Sequence, residues 1–471
     1  MNPSVDTKTL EAFILDHLNA KPQIKRWVLA FSGGLDSSVL LHLLVLANRQ
    51  LSAPKPIVAV HINHNLSPNA MSWQQHCEQI AKSLGVECIV RSVSVVNQGQ
   101  GIESAAREQR YRAFAELLQA GDCLVAGHHQ DDQAETFLLR LLRGAGVQGL
   151  GAMVAVRNFE QGQLWRPLLE VSKERLEAYA HEQKLRWVDD ESNNDTVFDR
   201  NFLRQEVIPL LSSRWQQVKS RLALTAEHMQ SSQQLLNDLA QIDMQAVAPR
   251  QERYGMSLDL LALKTLSPAR INNLLRYWCL QEQLAPPNAQ QLQEIQRQLL
   301  SQETMLTQAV VAWGAAPHIS EFRQFQQRLY LMPALAAFAP SASGVCCSFD
   351  KAHKYDLQEY GGGVLSFVPN ESAKAGLSTA ALANAKSVVI RWRSGGERCT
   401  PAGKKNSQLL KKLLQEYQLE TWLRDRVPLL YIDDQLAAVG DLWVCESFAK
   451  TGREQSVNLQ WVLPSITAKD R

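Results

Sequence analysis

"AFSGGLDSSVLLHLL", residues 30–44, runs an apolar strand into two glycines, an acid and two serines, and then into a leucine-rich helix. Two glycines after a strand let the backbone tighten and let its N–H groups approach a ligand closely. The helix that begins near Asp36 adds unpaired amides and the positive end of its dipole, and Ser37 and Ser38 bring hydroxyl donors to the same place. Together Ser32, Gly33, Gly34, Leu35, Asp36, Ser37 and Ser38 form a cradle for an anion, with phosphate or pyrophosphate the natural guest. The loop has no lysine, so it is not a Walker A loop, and no third glycine at dinucleotide-binding spacing. The plainer alternative is a glycine-turned loop in which Asp36 merely opens the helix.

Around this turn, residues 27–142 alternate short β-branched runs with helical periods. VLAF leads into the helix from Asp36, IVAVHI into a helix near 70–84, ECIVRSV into 103–118, and DCLVAG into 132–142. Such alternation predicts an α/β domain, a doubly wound parallel sheet with helices on both faces. Ligands of that architecture sit beyond the carboxyl ends of the strands, where the turns SGGLDSS, HINHN and GHHQDDQAET all fall. After Pro209 the alternation stops. Residues 212–242 read as one long helix, followed by a helical middle domain. Small residues dominate 338–386, as in a loose connector with a hairpin, and a small mixed α/β unit closes the chain. The domains are placed at 1–212, 213–340 and 385–465, with no internal repeat.

Composition agrees with a folded, soluble chain: 471 residues, 45% hydrophobic and 20% charged, with no segment apolar enough to span a bilayer and no leader-like N-terminus. A cytoplasmic protein is expected. Eight scattered cysteines include no pair at the two-apart spacing of zinc or iron–sulfur sites, so they read as buried or incidental thiols.

SGGLDSS after an apolar strand resembles the PP-loop of the N-type ATP pyrophosphatase superfamily, whose members cleave ATP between the α and β phosphates. Three further stretches are similar to the tRNA(Ile)-lysidine synthase family: AREQRY at 106–111, GHHQDDQAETFLLRLLRGAGVQGLGAM at 127–153, and WVDDESNNDTVFDRNFLRQEVIPLL at 187–211. The resemblance is strong over about the first 210 residues and architectural beyond them. It implies a ligase using ATP and Mg²⁺ that adenylates the C2 oxygen of the wobble cytidine of tRNA(Ile) and replaces it with L-lysine, releasing AMP and pyrophosphate.

Within GHHQDDQAET, Asp132 and Glu135 are three apart at a helix start and project to one side. That spacing is also a capping box in all but its first residue. His128, His129 and Asp131 beside them are more than a cap requires. The resemblance implies that Asp132 and Glu135 hold the lysine substrate. A carboxylate would raise the pKa of the amine it holds and blunt it as a nucleophile, so the α-ammonium is the end expected there. Asp36 is expected to position Mg²⁺ and phosphates, and Arg200, Arg107 and Arg110 to neutralise developing charge, Arg200 foremost because FDRNFLR matches the family motif. His128 is expected to position nucleotide or base.

Between 391 and 426 nine cations face four acids, a net +5 in a chain of net +2. Arg391, Arg393, Lys404, Lys405, Lys411 and Lys412, interleaved with Trp392 and Trp422, read as a tRNA phosphate surface, against the alternative of a solvated amphipathic helix. Glutamine-using and sulfur-transferring PP-loop relatives are disfavoured by the absence of a cysteine after Met1 and of paired cysteines. A nonenzymatic ATP-responsive RNA-binding protein, or another PP-loop tRNA-modifying enzyme, is the rival reading. Oligomeric state is not legible.

Overall fold

The computed structural model describes residues 9–64, 67–94, 102–191, 195–300, 309–315, 318–335, 337, 338, 340, 344–347, 354–360, 362–370, 376–450 and 455–463. Parts of the predicted connector over 338–386 and of the turn HINHN lie outside them. The chain divides into two compact units, Met1–Leu235 and Leu236–Arg471.

The first unit opens with α1 (Leu10–Asn19) and β1 (Arg26–Ala30), then α2 (Leu35–Arg49), β2 (Ile57–Asn63), α3 (Ala70–Leu84), β3 (Glu87–Ser92), α4 (Ile102–Leu117) and β4 (Asp122–Val125). After these come α5 (Gln130–Leu142), the short turn α6 (Val147–Leu150), β5 (Val156–Phe159), β6 (Gly162–Trp165) and α7 (Lys173–Glu182). The strands form one sheet in the order β3-β2-β1-β4-β6-β5, with every pair parallel except the antiparallel hairpin β5–β6 at the edge. β1 alternates the face its buried side chains enter. Trp27 and Leu29 enter the core built with α1, α2 and α7, while Val28 enters the opposite core with Phe114 and Leu118. Both faces are therefore covered, as a parallel sheet requires.

Every predicted strand and helix of 27–142 is present within a few residues. The predicted long helix is interrupted where its sequence carries Trp215. The segment α8 (Asp199–Phe202), a π-turn at Leu203–Val207 and α9 (Ile208–Arg214) come first, and α10 runs Val218–Ala246. Such single π-turns occur frequently at functional sites.

In the second unit helices Pro268–Gln281 and Ala289–Ile295 accompany a five-stranded antiparallel sheet whose longest members are Val310–Ala315, His318–Phe325 and Arg328–Pro333. The middle region thus combines the expected helices with a sheet that the helical periodicity did not announce. Toward the C-terminus, strands Lys354–Asp356 and Val364–Pro369 make the expected hairpin. Two antiparallel sheets share a core around Trp392, Leu414, Leu430 and Trp461.

Candidate functional site

The glycine turn lies at the carboxyl end of β1, beside β4. Gly33 has φ +84°, and a Cβ there would stand 2.7 Å from Cys77 Sγ, so only glycine fits. Gly34 caps α2 with no side-chain bond of its own, leaving the first-turn amides turned outward. The serines behave differently from expectation. Ser37 Oγ donates to Gly34 O (3.0 Å) and Ser38 Oγ to Gly33 O (3.3 Å), so both hydroxyls brace the loop from below. Gly33 O also accepts Val188 N–H (2.9 Å), stitching the 187–190 segment to the turn. Gly127, at the end of β4, lies against the first turn of α2, where a Cβ would meet the Asp36 carbonyl at 3.2 Å. Two strand ends are thereby pressed together.

Asp36 is the polar group this construction leaves open. Its Oδ1 is buried without a hydrogen-bond partner, and its Oδ2 lies 3.5 Å from His129 Nε2. His129 caps α5: its Nδ1 accepts Asp131 N–H (3.2 Å), and its own N–H donates to Asp132 Oδ2 (3.0 Å). The capping box is therefore His129 with Asp132, not Asp132 with Glu135, and the helix begins two residues earlier than its acid spacing suggests. Burial works against charge on His129, but Asp132, Asp36 and Asp131 outweigh it and hold the imidazole above its ordinary range. One ring thus spans the phosphate cradle and the carboxylates of α5.

Those carboxylates are fully engaged. Arg200 donates from Nε to Glu135 Oε2 and from Nη2 to Asp132 Oδ1, both at 2.6 Å. Arg204 donates from Nε to Glu135 Oε1 (2.6 Å) and from Nη2 to Glu135 Oε2 (2.9 Å) and Asp132 Oδ1 (3.5 Å). The Glu135 side chain is 1% exposed. Burial alone would raise Asp132, yet His129 and Arg200 hold it well below the usual carboxylate range. Burial likewise opposes charge on Arg204, and its bonds to Glu135 restore and raise it. Arg200, expected beside the phosphates, stands in this quartet. Arg204, its partner in the same FDRNFLR stretch, was missed, although four-residue spacing on a helix puts both on one face. Lys219, also unannounced, pairs with Asp131 and with Glu174 (3.0 Å), fixing the foot of α5.

His128 Nδ1 is buried without a partner, and the ring is pushed down to about 3 by burial first, with Arg166, Arg200 and Arg107 adding to it against Asp132. Arg107 lies over the Tyr111 ring at 5.2 Å. Arg110 is exposed near His64, which burial and the Arg110 charge push down to about 4. In the second unit Lys404, Lys405, Lys411 and Lys412 are all exposed. Arg391 and Arg393 are paired, to Asp434 (2.7 Å) and Asp425 (3.2 Å). The tryptophans do not join that surface. Trp392 is 6% exposed inside the core, and Trp422 packs edge-on against Phe325 and Tyr330.

The chain that joins this lysine-free phosphate loop to an acid–arginine quartet matches known proteins over 91–92% of its length. A relative from Coxiella burnetii named tRNA(Ile)-lysidine synthase is 37% identical over 92% of this chain and 92% of its own. One of the same name from Legionella pneumophila is 38% identical over 91% and 94%, and one from Proteus mirabilis 37% over 92% and 94%. The chain belongs to the tRNA(Ile)-lysidine synthase family. Its residues 6–211 match a PP-loop domain, 258–330 the TilS substrate binding domain and 388–461 the TilS substrate C-terminal domain. As a member of this family it is an ATP-using, tRNA-modifying ligase, and no helix among the described residues is long and apolar enough to cross a membrane.

Proposed function

We propose that the chain joins L-lysine to C2 of the wobble cytidine of tRNA(Ile), through an adenylated cytidine, with release of AMP and pyrophosphate. The observation that carries this reading is His129, within 3.5 Å of both Asp36 and Asp132. It sets a phosphate cradle and a site for an amino acid side by side, as a reaction that first adenylates the C2 oxygen and then joins an amine to the carbon bearing it requires.

In this reading the amides of residues 33–37 bind the triphosphate. Among the described residues no group of three or more His, Cys, Asp or Glu could hold a metal ion. One buried, unpartnered oxygen on Asp36 fits Mg²⁺, which takes one or two carboxylates and completes its shell with phosphates and water. Asp36 would hold that ion, whose charge supports the departing pyrophosphate. Lysine is zwitterionic at its α-carbon, and the quartet offers both complements. Its α-ammonium takes the place of Arg200 on Asp132 while Arg200 turns to the α-carboxylate, so every buried charge keeps a partner. Glu135 holds Arg204 through the exchange. The ε-amine is left free of carboxylates, which would otherwise hold it in the ammonium form.

Residues 1–212 carry this chemistry, and 213–340 and 385–465 hold the tRNA, with the exposed lysines 404, 405, 411 and 412 against its phosphates, in the cytoplasm where tRNA is used. The test is incorporation of labelled lysine into a tRNA with cytidine at the wobble position, against a uridine control. Product as AMP, with label only in the cytidine transcript, is expected. ADP as product, or equal labelling, overturns the reading.

A further inference from the structure

Beside the lysine quartet lies a second group of arginines that no carboxylate pairs among the described residues. Arg166 follows β6 and is 5% exposed. Its Nη1 donates to Val154 O (2.8 Å), while its Nε is buried with no hydrogen-bond partner. Its guanidinium is hydrogen-bonded to the Tyr111 side chain and repelled by two cations, Arg157 and Arg107. Arg107 and Arg157 lie over the ring of Tyr111 at 5.2 and 5.9 Å, and Arg157 also lies over Phe159 at 5.5 Å. Both are exposed. His128, with its orphaned Nδ1, feels Arg166 and Arg107 and so borders the same group.

Burying a guanidinium without a counter-charge is unfavourable, and crowding two more cations on the same tyrosine compounds it. Such a cluster persists where an anion completes it, and a forked guanidinium matches phosphate geometry. The sheet order decides which phosphate. From the cradle at β1 the strands run β4, β6, β5. At about 4.8 Å per strand, the β5 backbone that carries Arg157 is roughly 14 Å to the side of the cradle, and its guanidinium reaches back to Tyr111. A triphosphate seated on the loop after β1 does not span that width, whereas the backbone of a polynucleotide with its base at the quartet would. The hairpin is an exposed edge with Val154 and Val156 38% and 40% accessible, open to a macromolecule.

We infer that Arg107, Arg157 and Arg166, assembled on Tyr111, form a subsite for a backbone phosphate of the tRNA beside the reacting nucleotide. This rests on the tRNA-ligase reading above. It assigns to the N-terminal unit its own grip on RNA, independent of the basic C-terminal surface.

The test uses the full chain and a tRNA transcript with wobble cytidine, with affinity measured between roughly 50 and 200 mM salt. Arg166→Gln is expected to weaken tRNA binding about tenfold and to lower the slope of log affinity against log salt by about one, with ATP affinity at the wild-type level. Arg157→Gln and Arg107→Gln, both at exposed positions, are expected to give about threefold losses and the same kind of slope change. If Arg166→Gln does not fold, these two carry the test. Wild-type tRNA affinity and slope in the folded variants overturn the subsite, as does a loss of ATP affinity with tRNA binding intact, which would place a nucleotide phosphate there. Lysine incorporation by the wild type is scored separately. Its absence removes the ligase reading, while the binding data still decide the subsite.

Discussion

Arg200 and Arg204, with side chains 22% and 34% exposed, are clamped on a Glu135 side chain that is 1% exposed, whereas Lys404, Lys405 and Lys411 stand in water with no ion pair among the described residues. Both groups are cationic, and the difference is what each can do. Charges held in a buried, mutually paired quartet are fixed before substrate arrives and are little screened by salt, so they suit positioning and exchange at a reacting centre. Exposed, unpaired lysines gain by releasing counterions from a polyanion, so they suit affinity that falls steeply with ionic strength. One region should therefore control turnover and the other binding.

The largest effect should come from breaking the quartet. Asp132→Asn leaves Arg200 and Arg204 facing a single carboxylate and removes the proposed seat of the lysine ammonium. Lysine-dependent pyrophosphate release should lose about 10³-fold in kcat/KM for lysine, about 4 kcal/mol. The loss should be the same at low and high salt, with ATP affinity retained. A loss that instead appeared in tRNA affinity and tracked ionic strength would erase the distinction between the two regions.

Next is the cradle, whose function lies in backbone rather than charge. Gly33→Ala places a Cβ at φ +84° and 2.7 Å from Cys77 Sγ. Left-handed strain together with overpacking should cost about 2–3 kcal/mol of stability and weaken ATP binding, read from the urea midpoint with and without ATP. A midpoint equal to wild type would show that the turn can relax, and that the amides are less fixed than the paired charges beside them.

Reversing Lys404, Lys405, Lys411 and Lys412 to glutamate should weaken tRNA binding about 30-fold, about 2 kcal/mol, and flatten its salt slope by about three. ATP binding by the folded variant should be unaffected. An unchanged slope would move the RNA surface elsewhere, toward the arginines of the first unit.

The two regions were also unequally legible. The alternation over 27–142 and the glycine turn could be read directly, because strand period, helix period and left-handed glycine are local properties of a few residues. Asp132 and Glu135 stood out for the same reason. What escaped was long-range. His129 rather than His128 bridges the two halves, a choice decided by which of two adjacent residues caps α5. Arg204 and Lys219 acquire their roles from acids 69 and 88 positions away, which no window reports. Trp392 shows the converse, an aromatic among cations that reads as an RNA platform and is instead core, because burial depends on what the fold lays over it.

The smallest expected effect sharpens the electrostatic side of the comparison. Burial, with Arg166, Arg200 and Arg107, pushes His128 down to about 3 in the folded chain, while the unfolded chain keeps it near about 6.5. Between these values the unfolded state takes a proton that the folded state refuses, so folding is favoured above about pH 6.5 and loses stability as pH falls toward 3. Discounted for the partial exposure of the ring, the loss attributable to His128 is about 1–2 kcal/mol at pH 5. His64, pushed down to about 4, adds to the acid limb of wild type and variant alike, so it cancels in their difference. Urea midpoints of His128→Gln and wild type should therefore converge as pH is lowered from 7 to 5. Parallel curves would take His128 out of the buried cationic field, and the contrast between the regions would then rest on the arginine–carboxylate pairs alone.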